Sequence, residues 1–116
     1  MFIDAPLSVE RHAGRALGTR ILRFSGPLTL RNLFMFQDEL RQGLDPFVAI
    51  LDLTKVPYMD SAGMGVVVNY HVHCQNQGGR LIAVGVSPRI MELFKITKVD
   101  SVIRMVPTLE EAEALV

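Results

Sequence analysis

Apolar residues recur along this chain with two periods, one near two residues and one near three and a half, and the two alternate. Leu17 to Ser25 puts Leu22 and Phe24 on one face and Ile21 and Arg23 on the other, and Gly26-Pro27 closes it, so it reads as a strand. Leu7 to Arg11 is a weaker strand candidate, with His12-Ala13-Gly14-Arg15 as the hairpin turn between the two. From Leu30 to Leu40 the positions Leu33, Phe36 and Leu40, with Phe34 and Gln37 alongside, repeat at helical spacing, and Gly43 supplies a stop. Phe47 to Leu53 is a nearly unbroken apolar run of strand length. That is the pattern of a parallel strand covered on both faces, and it predicts a central place in a sheet.

The second half repeats the alternation. After Ser61 a helical wheel gathers Met64, Val67, Val68, His71 and Cys74 on one arc and Asn69, His73, Asn76 and Gln77 on the opposite one, with Val66 beside the polar arc and expected to be exposed. Gly78-Gly79 ends that helix. Leu81 to Val84 is a fourth strand, and Ser87-Pro88 has the N-cap and N1 pairing that opens a helix burying Ile90, Leu93 and Phe94. Val102 to Val106 is a last strand, and Thr108-Leu109-Glu110-Glu111 has the spacing of a capping box. Strands that alternate with helices imply parallel pairing through crossover connections. The expected fold is therefore α/β: one domain over 1–116, with a mixed, mostly parallel sheet of about five strands covered by about four helices. Residues 1–6 are expected to stand outside it.

Composition narrows the partners. Twelve basic residues balance twelve acidic ones. A chain without net charge lacks the basic excess of a nucleic-acid binder, which leaves proteins as the expected partners. The one cysteine, Cys74, has no internal disulfide partner and fits a reducing compartment. Met1-Phe2-Ile3-Asp4 lacks the pattern of a signal peptide, and no apolar run approaches the roughly 20 residues of a membrane span, so a cytoplasmic protein without membrane contact is expected.

Candidate chemistry concentrates in Asp60-Ser61-Ala62-Gly63-Met64-Gly65, at the start of the second helix. Unpaired amides and the positive end of the helix dipole collect there, so Ser61 is either an ordinary cap or a hydroxyl that can carry a phosphate. Gly63 and Gly65 cost roughly 1 kcal/mol each against alanine in a helix. Either the helix packs tightly on the sheet or something must approach its backbone closely. Asp52 ends the central strand near this loop, and either orders it by accepting hydrogen bonds or is a solvated strand end. Other constellations are weaker. His71 and Cys74 stand at i and i+3, a spacing that permits metal ligation, but no further ligands converge, and a satisfied core histidine is the better reading. Ser61 lacks the preceding glycine of a hydrolase elbow, and Gly63-Met64-Gly65 only begins like a dinucleotide fingerprint. No catalytic residue, cofactor or metal is assigned.

The run Ile50-Leu51-Asp52-Leu53-Thr54-Lys55-Val56-Pro57-Tyr58-Met59-Asp60-Ser61-Ala62-Gly63-Met64-Gly65 resembles the signature of STAS domains, and in particular of bacterial anti-sigma factor antagonists. There a strand ending in Asp-Leu leads to Asp-Ser-Ser/Thr-Gly-Leu-Gly at the second helix. Gly26-Pro27-Leu28-Thr29 is similar to the family's Gly-x-Leu-Asp loop, Gly78-Gly79-Arg80-Leu81 to its turn into the fourth strand, Ser87-Pro88 to its third helix start and Glu110-Glu111-Ala112 to its last helix. Three departures stand out: Ala62 replaces a second hydroxyl, Thr29 replaces an aspartate, and Lys98 stands where glycine is common after the third helix.

The resemblance implies that Ser61 accepts a phosphate from an anti-sigma serine kinase, with Asp60, Ala62, Gly63, Met64, Gly65, Val66, Thr29 and Asp52 as motif and partner-binding residues. It implies a switch that binds the kinase when unphosphorylated, so freeing a sigma factor indirectly, and that is reset by a phosphatase. The alternatives are a non-switching STAS subunit of a larger signalling or lipid-transport complex, with Ser61 only a cap, and a nucleotide or lipid bound at the same loop.

Overall fold

A computed structural model describes residues 6–43 and 45–116 of the chain. The apolar run at its centre forms strand β3 (Val48–Lys55), the middle member of a five-stranded sheet in the order β1-β2-β3-β4-β5. Strand β1 (Ser8–Ala13) pairs antiparallel with β2 (Thr19–Ser25), whereas β2, β3, β4 (Arg80–Val84) and β5 (Arg104–Val106) are all parallel. Helices α1 (Leu33–Arg41), α2 (Ser61–Asn76) and α3 (Pro88–Ile96) connect the parallel strands in turn. Because those strands lie side by side in chain order, right-handed crossovers carry all three helices to one face. Helix α4 (Leu109–Ala114) covers the other.

Strand register aligns the core into two layers. Ile21, Ile50 and Ile82 are level with one another and pack with Val48, Val84 and Ala112 on the α4 face. Leu22, Leu51 and Ala83 are level on the other face, with Phe24, Phe36, Leu53, Val67, Ile90 and Phe94. Each strand therefore sends alternate residues into two different cores, and β3 is buried from Val48 to Leu53 for that reason.

Several boundaries depart from expectation. Strand β1 runs through His12 to Ala13, and the reversal lies at Gly14–Gly18, where the Gly14 amide bonds the Thr19 carbonyl at 2.8 Å and Gly18 takes a φ of 78°. The first helical segment opens as a 3-10 turn (Leu30–Asn32) before α1 begins, and Phe34 points to solvent. The last strand is shorter than 102–106, because Val99–Ser101 forms a 3-10 turn and Val102 is exposed. Lys98 precedes that turn with a φ of 62°, the left-handed region that favours glycine. Of the segment 1–6 expected to be free, residues 1–5 lie outside the described residues.

The caps follow the sequence. Ser87 accepts a hydrogen bond from the Ile90 amide with Pro88 at the start of α3, and Thr108 accepts one from the Glu111 amide.

Candidate functional site

The start of α2 is held by a second chain segment. Leu28 and Met59 form a parallel bridge; the Leu28 amide donates to the Tyr58 carbonyl at 3.0 Å, and the Asp60 amide to the Leu28 carbonyl at 3.2 Å. The Asp60 side chain completes the join. Its Oδ1 accepts from the Gly63 amide at 2.9 Å and its Oδ2 from the Leu30 amide at 3.0 Å, so one carboxylate caps α2 and pins the 3-10 turn that leads into α1.

These contacts assign different roles to neighbouring residues. Because Asp60 is the N-cap, Ser61 is left free of capping. It is the first helical residue, is exposed, and its hydroxyl makes no hydrogen bond among the described residues. Gly63 is required by packing, since a Cβ there would lie 2.2 Å from the Leu28 carbonyl oxygen. Gly65 is not. A Cβ at that position would meet nothing within 4 Å, outside the helix's own nearby backbone. Ala62 and Met64 are half-buried, and the Thr97 hydroxyl approaches the Met64 sulfur at 3.2 Å. Thr29 is buried beside Asp60 in the wall of a cleft of about 200 Å³ shared with Leu30, Arg31 and Tyr58, and its hydroxyl has no hydrogen-bond partner among the described residues. An aspartate there would place a second carboxylate next to Asp60; threonine does not.

Two expected site residues lie elsewhere. Val66, expected to be exposed, is only 5% accessible and lines the junction of α1 and α2 with Leu40 and Tyr70. The buried positions of α2 are Gly63, Val66, Val67, Tyr70, His71 and Cys74, because the helix packs on α1 as well as on the sheet. Asp52 is in phase with Ile50 and so faces away from α2, on the α4 side of the sheet. It is not a solvated strand end. Arg23 Nε and the Thr54 amide each donate to it at 3.0 Å, and the Thr54 hydroxyl donates as well. Burial opposes its ionisation, but the hydrogen bonds from Thr54 and Arg23 outweigh that and hold its pKa below the usual carboxylate range.

His71 is buried as a core residue, yet not satisfied, since its Nδ1 has no hydrogen-bond partner among the described residues. Cys74 is buried too, and burial raises its thiol pKa, the opposite of what a reactive thiolate requires.

The sequence pattern did not reveal three exposed apolar side chains on the elements that flank α2. Leu30 is 68% exposed, Phe34 78% and Ile96 79%. Leu30 is tied to Asp60, Phe34 lies one helical turn beyond it, and Ile96 adjoins Thr97, which touches Met64. Phe34 is out of phase with the buried Phe36 and Leu40, and that mismatch was the available signal. Arg89 stacks over the Tyr58 ring, 5.0 Å from its centroid, and links the start of α3 to the same loop.

The family model of the STAS domain matches residues 10–112. The chain belongs to the STAS domain family. Over 67 residues this STAS chain is 36% identical to the anti-sigma-B factor antagonist of Listeria monocytogenes, a match spanning 58% of the chain and 59% of that relative. The chain thus aligns with less than two thirds of that relative's length. Among solved structures, an anti-sigma factor antagonist from Mycobacterium paratuberculosis has the same fold, with a TM-score of 0.85 at 17% identity over 96% of this chain and 94% of the other. The Bacillus cell fate determinant SpoIIAA in its phosphorylated form is similar as well, with a TM-score of 0.68 at 21% identity over 90% of this chain and 96% of that one.

Proposed function

We propose that this STAS protein is an anti-sigma factor antagonist that works by partner switching in the cytoplasm. Unmodified, it binds an anti-sigma factor with serine kinase activity and so frees a sigma factor. Phosphorylated on Ser61 by that kinase, it is released until a phosphatase removes the phosphate. The chain is substrate and binder, and performs no catalysis of its own.

One observation chiefly supports this reading: an exposed hydroxyl with no intramolecular hydrogen bond among the described residues, at the first position of a 16-residue helix whose capping is done by the preceding residue. A phosphate there adds about −1.5 to −2 charges, and the helix start offsets part of that by roughly 0.3 to 2 kcal/mol, so the fold tolerates it. Asp60 works in the other direction. Its carboxylate is fixed by two amides and cannot swing away from the new charge. Two unit charges about 4 Å apart repel by roughly 1 kcal/mol in water and roughly 4 kcal/mol at an effective dielectric of 20, so the repulsion grows when a docked protein excludes water. The name of the Listeria relative and the phosphorylated SpoIIAA of the same fold agree with this assignment.

Incubation with ATP and the candidate anti-sigma kinase, followed by intact-mass measurement, tests the acceptor. One added phosphate is expected on wild type and none on Ser61→Ala. An unmodified wild type, or a phosphate retained on Ser61→Ala, contradicts the assignment.

A further inference from the structure

A strand at the end of a sheet leaves the amide and carbonyl of every second residue unpaired, and folded proteins guard such edges with proline, a bulge or a very short strand. The sheet here ends in β1 and β5. Strand β5 is three residues long, and its shortness guards it. Strand β1 is six residues long, contains no proline, and pairs with β2 in unbroken register from Ser8 to Ala13. Among the described residues, no backbone hydrogen bond covers its outer side. The guard that remains is charge, in Glu10, Arg11 and His12.

Those charges repel most strands but complement a second copy of β1. Two copies related by a two-fold axis perpendicular to the sheet pair antiparallel, and residues of the same face must then stand opposite one another. Glu10 and His12 share the α4 face, since His12 is level with Ile21, and their exposed side chains lie 3.4 Å apart. With Arg11 opposite its own copy, Glu10 faces the copy's His12 and His12 the copy's Glu10, so two carboxylate-imidazole pairs form at once. Sliding the register by two residues either way sets Glu10 against Glu10 or His12 against His12. Arg11 is level with Leu22 on the other face, and there the Glu39 carboxylate accepts from its guanidinium at 2.6 Å and offsets its charge. We propose that β1 is a dimerisation edge through which two copies of this chain join their five-stranded sheets into one. Ser61 follows β3, two strands in from that edge, so the dimer presents two acceptor serines.

Sedimentation equilibrium of the full chain over a series of concentrations reads the dimer directly. A six-residue ladder is a small interface, so the wild type should dimerise with a Kd between about 1 and 100 μM. His12→Glu sets carboxylate against carboxylate and should weaken association at least about tenfold. The exchange Glu10→Lys/His12→Glu restores opposite charges across the two-fold axis and should return the Kd to within about threefold of wild type. Both side chains are exposed, and far-UV circular dichroism checks that each variant keeps the wild-type fold. A wild type that stays monomeric up to about 1 mM would overturn the proposal. So would a His12→Glu chain that dimerises as the wild type does, or a folded exchange variant that remains as weak as the single one, because the contact would then lie elsewhere.

Discussion

Asp60 bonds amides from two distant parts of the chain, Gly63 in its own helix and Leu30 in the turn before α1. The first bond corrects the reading of Ser61 as a cap: Ser and Asp both suit an N-cap, the pattern alone does not choose between neighbours, and the structure gives the place to Asp60. The second is not legible in the sequence, since the Leu30 amide reaches Asp60 only through the Leu28–Met59 bridge, and no local pattern announces a pairing 30 residues apart. Asp52 presents the same difficulty. Its position at the end of a buried strand is evident, but which sheet face it takes depends on the phase set by Ile50 and Leu51. Its environment yields a pH prediction. The folded state holds this carboxyl below its unfolded pKa of about 3.9, so its stabilising contribution is complete above that value and is lost as pH falls through the lower folded one. Urea unfolding of wild type between about pH 5 and pH 2.5 should show falling stability, and Asp52→Asn should flatten that decline. An equally steep decline in the variant would contradict the assignment.

Among the elements, strands are more legible in the sequence than helix faces. A strand's period of two leaves little freedom once its apolar run is found, and that run alone places β3 in the sheet centre. Helix α2 is buried on two sides, by the sheet and by α1, so its buried positions span a wider arc than a surface helix has. Gly63 offers no side chain to count and Tyr70 carries a hydroxyl. The arc inferred from Met64, Val67, Val68, His71 and Cys74 is accordingly displaced by about one residue and leaves Val66 outside. The end of α3 shows a different cost. Lys98 holds a left-handed backbone that disfavours side chains by roughly 1–2 kcal/mol. Replacing it with glycine removes that strain but adds freedom to the unfolded chain, and the two should leave Lys98→Gly more stable by about 0.5–1 kcal/mol in urea denaturation. A destabilised variant would mean that the Lys98 side chain makes contacts that outweigh the strain.

Across the whole molecule, the parallel sheet sets the position of the site. The chain leaves β3 at Lys55 and β4 at Val84 on the same edge, and the starts of α2 and α3 stand together there, joined by Arg89 over Tyr58. Open α/β folds place their sites at such carboxyl ends of strands. Here that edge carries Ser61, the fixed Asp60 carboxylate and the exposed Leu30 and Phe34. A phosphate on Ser61 would act on that surface through charge while the two cores, which lie behind it, keep their packing. Affinity should therefore respond far more than shape. Calorimetric titration of one anti-sigma kinase with the unmodified chain, and then with the chain phosphorylated on Ser61, decides the matter. Binding should be at least about tenfold weaker for the phosphorylated form; equal affinities for the two forms would contradict partner switching.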